Sequence, residues 1–231
     1  MKNGKYCNGK KSLNMKPLAV LLALTLLVGC AVGGTIAWLT DKTDDVVNTF
    51  TIGDINIDLT EEVENEFEFV PGDKMEKDPK VTVKADSEAC YLFVKVTVAN
   101  NSATDNMGTE DTTDDVTVNS VVKFAVENGW KYIVGGVEQT NAPTAYTNGT
   151  YYFYRNVDAA TAAAGTSYFV LAGDTTYSEG YVTIDEHVTK GMVTALKQSK
   201  PTITFQAAAI QSENITDLAA AWSNLPAAFK A

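Results

Sequence analysis

The stretch Gly33–Leu59, GGTIAWLTDKTDDVVNTFTIGDINIDL, constrains this chain most, because three kinds of segment meet inside it. At its end Ile55, Ile57 and Leu59 alternate with Asn56 and Asp58, the period of a half-buried strand. Before that lies a short polar arm, and before the arm an uncharged run from Pro17 to Leu39. Residues 1–16 carry Lys2, Lys5, Lys10, Lys11 and Lys16 and no acidic residue. Leu18–Val28 is an apolar core of 11 residues, long enough for a signal peptide and short for a membrane span. Gly29, Gly33 and Gly34 then loosen any helix. Thr35 and Ala37 stand two apart in a small-x-small pattern, so a cut after Ala37 is expected, with Trp38 as the new first residue.

Two other readings of the leader stay open. Leu27-Val28-Gly29-Cys30 also fits a bacterial lipobox, which would leave Cys30 lipidated at the new N-terminus. The 23 uncharged residues are also long enough to serve as an uncleaved anchor.

The leader holds 5 of the 18 basic residues and none of the 29 acidic ones, so residues 38–231 carry a formal charge of −16. Such a surface repels nucleic-acid phosphates and anionic lipid. No nucleic-acid partner is therefore expected, and contact with a membrane is expected only through the leader before cleavage. Of three cysteines, Cys90 alone remains after the cut, which excludes an internal disulfide in the processed protein.

Beyond the arm the sequence reads as eight to ten short strands separated by turns. Val63–Val70 alternates through Phe67 and Phe69 until Pro71-Gly72 turns it. Cys90–Val98 is the strongest strand: Leu92, Val94, Val96 and Val98 share one face, while Tyr91 and Phe93 on the other predict cover on both sides. Lys80–Lys84, Val121–Val126, Trp130–Val134, Thr150–Arg155, Tyr168–Leu171, Tyr181–Ile184 and Thr202–Ile210 follow, the last weakened by the poor strand formers Ala207–Ala209. Asp158–Gly165 and His187–Gln198 read as short helices, and Ile215–Leu225 as a closing helix capped by Asn214 or Thr216. With no βαβ rhythm, the expected fold is all-β, an antiparallel jelly roll or β-sandwich with short peripheral helices. The expected division is a signal peptide over 1–37, an arm over 38–52 and one domain over 53–231.

The leader end GGTIAWLTD, the segment NTFTIGDINIDLTE, the turn FVPGD and the C-terminal FQAAAIQSENITDLAAAW together resemble the TasA/camelysin family of exported proteins from Gram-positive bacteria. The resemblance implies a leader cut by a SipW-type signal peptidase and a jelly-roll subunit of biofilm matrix fibres. It also implies that each subunit donates its N-terminal segment as a strand to the next. By position the donor strand is Trp38–Ile52, with apolar residues Trp38, Leu39, Val46, Val47, Phe50 and Ile52. The expected partners are copies of the same protein or related fibre subunits, and the expected location is the extracellular matrix or cell surface. A donated strand adds main-chain hydrogen bonds to an open edge, and a head-to-tail contact of that kind grows a filament. Asp41, Asp44 and Asp45 load the arm with negative charge, so assembly is expected to need salt, lowered pH or divalent cations.

Camelysin-like proteins have also been classed as metallopeptidases. The common zinc-peptidase pattern places two histidines one helical turn apart with a glutamate beside them. This protein has one histidine, His187, within Asp185-Glu186-His187. Cys90 lies on the apolar face of a strand, where a thiol behaves as a small hydrophobe. From these residues no catalytic site, metal or cofactor is expected, and the protein is read as a structural protein rather than an enzyme. The alternative reading is a monomeric surface protein, lipidated at Cys30, that binds glycan through Tyr151–Tyr154 or calcium through Asp105, Glu110, Asp111, Asp114 and Asp115.

N-terminal sequencing and intact mass of the secreted protein check the leader reading. Trp38 is the expected first residue; a lipid-bearing Cys30, or a product that keeps its leader, overturns the proposed cut.

Overall fold

The computed structural model describes residues 54–63 and 69–231 in full, and the backbone of residues 49–52. Thr35, Ala37, Trp38, Leu39, Val46, Val47 and Cys30, and most of the strand expected over Val63–Val70, lie outside the described residues. The strands are β1 (Thr49–Ile52), β2 (Ile57–Thr60), β3 (Lys74–Glu76), β4 (Lys80–Val83), β5 (Cys90–Ala99), β6 (Ala103–Asp105) and β7 (Val116–Val118). They continue with β8 (Val122–Lys123), β9 (Lys131–Val134), β10 (Val137–Glu138), β11 (Gly149–Val157), β12 (Thr166–Phe169), β13 (Tyr181–Ile184) and β14 (Thr202–Gln211). Short helices α1 (Ala159–Ala164), α2 (Lys190–Ser199), α3 (Leu218–Asn224) and α4 (Ala227–Lys230) sit between and after them. The fold is all-β and sandwich-like, as expected, with no closed barrel. None of the described helices is long and apolar enough to cross a membrane.

One six-stranded sheet, in the order β1-β14-β5-β11-β9-β10, forms a layer of its own. Two three-stranded sheets, β12-β4-β2 and β3-β13-β8, supply strands to the opposing side, and β6 and β7 form a separate hairpin. All pairings are antiparallel except β1 on β14.

Period-two patterning explains the core. Cys90, Leu92, Val94, Val96 and Val98 of β5 meet Ile57 and Leu59 of β2, Val81 and Val83 of β4, and Val182 and Ile184 of β13 in one buried cluster. Burying each such side chain contributes about 1.5–3 kcal/mol. The large sheet is apolar on its other face too. There Phe93, Ile133, Tyr154, Ala208 and Ile210 lie beneath Ala221, Leu225 and Phe229 of the C-terminal helices. The cover expected over Tyr91 and Phe93 is therefore this pair of helices.

Several elements differ from the sequence expectation. Val121–Val126 is a strand only at β8, with an isolated bridge from Val126 to Leu171. β6 and β7, which the alternation pattern does not mark, pair through Ala103↔Val118. The closing helix is capped by Asp217, whose Oδ1 accepts from the Ala220 N–H at 2.8 Å, rather than by Asn214 or Thr216. Asn214 instead takes the left-handed conformation, φ 62°, in the turn before it. The Ala207–Ala209 run is a full strand because partners on both sides supply its hydrogen bonds, and this overrides weak local preference.

The β9–β10 turn is built from Gly135 and Gly136, both at positive φ. The indole of Trp222 rests on Gly136: a Cβ placed there would lie 2.7 Å from its Cγ and Cδ1. A Cβ at Gly135 would meet nothing within 4 Å. Gly136→Ala is expected to lower stability by about 2–4 kcal/mol and Gly135→Ala by only about 1 kcal/mol, measured by urea unfolding. Equal losses would show that the indole contact contributes nothing.

Candidate functional site

The edge of the six-stranded sheet at β14 is where the N-terminal segment meets the domain. β14 pairs along its whole length with β5, from Thr202↔Ala99 to Gln211↔Cys90. Its other side carries β1 in parallel register, Thr49↔Ala207, Phe50↔Ala208, Thr51↔Ala209 and Ile52↔Ile210. Of the residues expected to form a donor strand, Phe50 and Ile52 thus have their backbone on β14 of their own molecule. Ala207, Ala208 and Ala209 are fully buried, and such small side chains let other layers approach both faces of the strand closely. Among the described residues no strand lies along Thr202–Gln206 on that side, and Gln206 Oε1 is buried without a hydrogen-bond partner.

β2, just downstream of β1, is held from several directions. Ile55, Ile57 and Leu59 are buried in the core, and β2 pairs with β4. Asn56 N donates to Ser87 Oγ at 3.1 Å, Lys84 N donates to Asn56 O at 2.8 Å and Glu88 N donates to Asp54 O at 3.2 Å. Beyond the strand, the buried Asp78 carboxylate accepts from Glu62 N at 3.2 Å and Val63 N at 3.1 Å. These anchoring roles of Ser87 and Asp78 have no signal in the sequence, where both sit among other polar residues. The alanine run of β14 is the one visible sign of the edge.

The other candidate groups serve local structure. Asp185 lies just after β13 and is buried, 7% accessible. Its Oδ1 accepts from His187 N at 2.8 Å and faces His187 Nδ1 at 2.9 Å, while Lys123 Nζ reaches Oδ2 at 2.5 Å. Burial pushes this carboxyl up, but the hydrogen bonds from Lys123 and His187 outweigh it and hold it below its ordinary value. Cys90 is buried between Val157 and Gln211, and desolvation pushes its thiol up to about 12, leaving it un-ionised and unreactive at neutral pH.

In the acidic segment, Asp105 Oδ2 accepts from Thr189 Oγ1, which ties the β6–β7 hairpin to the start of α2. Asp111 accepts from Thr113, and Asp114 from Thr109. Glu110 and Asp115 complete the set proposed for calcium, but among the described residues no three His, Cys, Asp or Glu side chains converge to hold a cation. The aromatic run is divided between two cores. Phe153 and Tyr151 pack into the inner one, and Tyr152 and Tyr154 under the C-terminal helices. Tyr152 Oη donates to Lys230 O at 3.0 Å and Tyr154 Oη to Glu138 Oε2 at 2.5 Å. Trp222 packs edge-on to Tyr152, centroids 4.9 Å apart, as its place on the closing helix predicts.

Comparison with known proteins gives one family. The family described as camelysin metallo-endopeptidase matches residues 8–136, more than half of the sequence, from the leader to the β9–β10 turn. No curated protein and no solved structure matches. This overturns the expectation that the protein is not an enzyme, because the matching family is described as a metallo-endopeptidase. Its description implies a metal, and the described residues do not fit one. The single histidine is turned onto Asp185, whose second oxygen is taken by Lys123. Among the described residues the remaining acids form no group of three that could hold a metal, and Asp158 and Asp174 are engaged as cap and turn former. By the extent of the match, and in agreement with the resemblance at its N-terminal segment, the chain belongs to the camelysin metallo-endopeptidase family.

Proposed function

We propose that this family member is an exported structural subunit that joins to further copies, or to related subunits, by exchanging its N-terminal strand. The observation that carries the reading is β1, four residues lying in parallel on one end of the β14 edge. A parallel four-residue pairing makes few main-chain hydrogen bonds, each contributing about 1 kcal/mol net. β2 is fixed in the domain by core burial, its pairing with β4 and the Ser87 and Asp78 contacts. Release therefore separates the N-terminal segment near Gly53 and leaves β2 in place. When the segment of another copy takes the same edge, the same hydrogen bonds form again. The exchange costs little, and each addition leaves a new free segment. Among the described residues no strand pairs with Thr202–Gln206 on that side, a stretch that a longer incoming strand than β1 would cover.

The leader pattern supports export before this step, since strand exchange between copies needs the arm freed from the membrane. The charge of −16 on residues 38–231, with Asp41, Asp44 and Asp45 in the arm, keeps copies apart until salt, protons or divalent cations screen it. The reading is tested by electron microscopy of residues 38–231 beside residues 53–231 in buffers of rising ionic strength. Filaments are expected from the longer form alone. Filaments from both remove the arm as connector, and filaments from neither remove the assembly.

The family's description supports a second reading, endopeptidase activity. On that reading the purified protein degrades casein and loses the activity on treatment with a chelator. Undegraded casein across a range of added divalent metals removes it.

A further inference from the structure

Asparagine precedes glycine twice among the described residues, at Asn128–Gly129 and Asn148–Gly149, and the fold treats the two pairs differently. We propose that Asn128 is a site of spontaneous deamidation, promoted by the native turn that holds it, whereas the native fold protects Asn148. This rests on neither the assembly reading nor the peptidase reading.

Asn128 and Gly129 are exposed and form the centre of a turn closed by Trp130 N donating to Glu127 O at 3.3 Å. The Gly129 N–H donates to Asn128 Oδ1 at 3.1 Å, so the backbone nitrogen and the carboxamide already face each other. Gly129 has φ +94°, a conformation glycine adopts without strain, and the Arg155 guanidinium occupies the space a Cβ would take. The step is internally balanced. Gly129 N loses its proton and bonds to Asn128 Cγ, the Cγ–Nδ2 bond breaks, and ammonia leaves. Water then opens the resulting five-membered imide at either carbonyl, giving aspartate or isoaspartate, with nothing oxidised or reduced.

At the second pair the same atoms are committed elsewhere. Asn148 Oδ1 accepts from Asn101 N at 2.7 Å, and Asn101 is itself buried and bonded to Val122 and Tyr146. Gly149 opens β11 in register with Val98. Ring closure at Asn148 must break the contact with Asn101 and pull Gly149 from the sheet.

The surroundings of Asn128 also suit the product. Arg155 Nη2 donates to Asn128 O at 3.5 Å, and the guanidinium stacks 3.8 Å from the Tyr168 ring centre. A new carboxylate therefore forms beside a fixed cation. The isoaspartate product adds a backbone carbon to a turn tied at both ends, by Glu127 N to Val170 O at 2.9 Å and by Trp130 Nε1 to Phe169 O at 2.8 Å. Modification thus marks aged copies by one more negative charge and a loosened turn.

The test is peptide mass mapping of the purified protein held at mildly alkaline pH, with a parallel sample unfolded in urea. In the folded protein the Asn128 peptide is expected to convert at least about tenfold faster than the Asn148 peptide, because only at Asn128 are the reacting atoms already held face to face. In urea the two are expected to converge. Isoaspartate at 128 is expected to accept a methyl group from an isoaspartyl methyltransferase, and Asn128→Gln to abolish that signal. The proposal is overturned if Asn148 keeps pace with Asn128 in the folded protein, or if folding slows conversion at Asn128.

Discussion

The ten-residue antiparallel pairing of β5 with β14 is the contact on which the rest of the molecule depends. It joins a strand from the first half of the sequence to one near its end. The registration sets both faces of the large sheet at once. Leu92, Val94 and Val96 with Phe205 and Ala207 face the inner core, and Phe93 with Ala208 and Ile210 face the C-terminal helices. A slip of one residue in either strand would send both sets to the wrong side. Two apolar faces require two covers, and α3 and α4 supply the second.

The same pairing creates the edge at which the N-terminal segment rests. A central strand would have both sides satisfied by its own sheet. Among the described residues, β14 has β5 on one side and the four residues of β1 on the other. An edge so partly covered is a liability in a protein that stays monomeric and an asset in one that assembles. On the assembly reading, the boundary between fixed domain and exchangeable segment falls between β1 and the core-buried β2.

Family membership and local chemistry point in different directions at one place. The family is described as a metallo-endopeptidase, while among the described residues no three His, Cys, Asp or Glu side chains converge and the histidine is held by Asp185. Asp185 illustrates this. It has the burial and charged neighbours that often mark a functional carboxylate. Each of its oxygens nevertheless has a structural partner, and its effect is to fix the end of β13 against β8.

Much was legible in the sequence because it is written in short-range patterns. Alternation located β2 and β5, since a period of two needs only neighbouring residues to be read. Tyr91 and Phe93 announced a second cover on the large sheet, and the lone histidine made the common zinc pattern impossible. The tertiary structure alone decided the rest. Partners on both sides hold the weak strand former Ala207–Ala209 in a full strand. Asp217 displaced two other plausible caps through the geometry of the preceding turn. The hydrogen bonds of Asn101, contributed by a residue remote in sequence, distinguish two Asn–Gly pairs that read alike. Such outcomes turn on which groups meet across long separations, and a linear pattern carries no record of those distances.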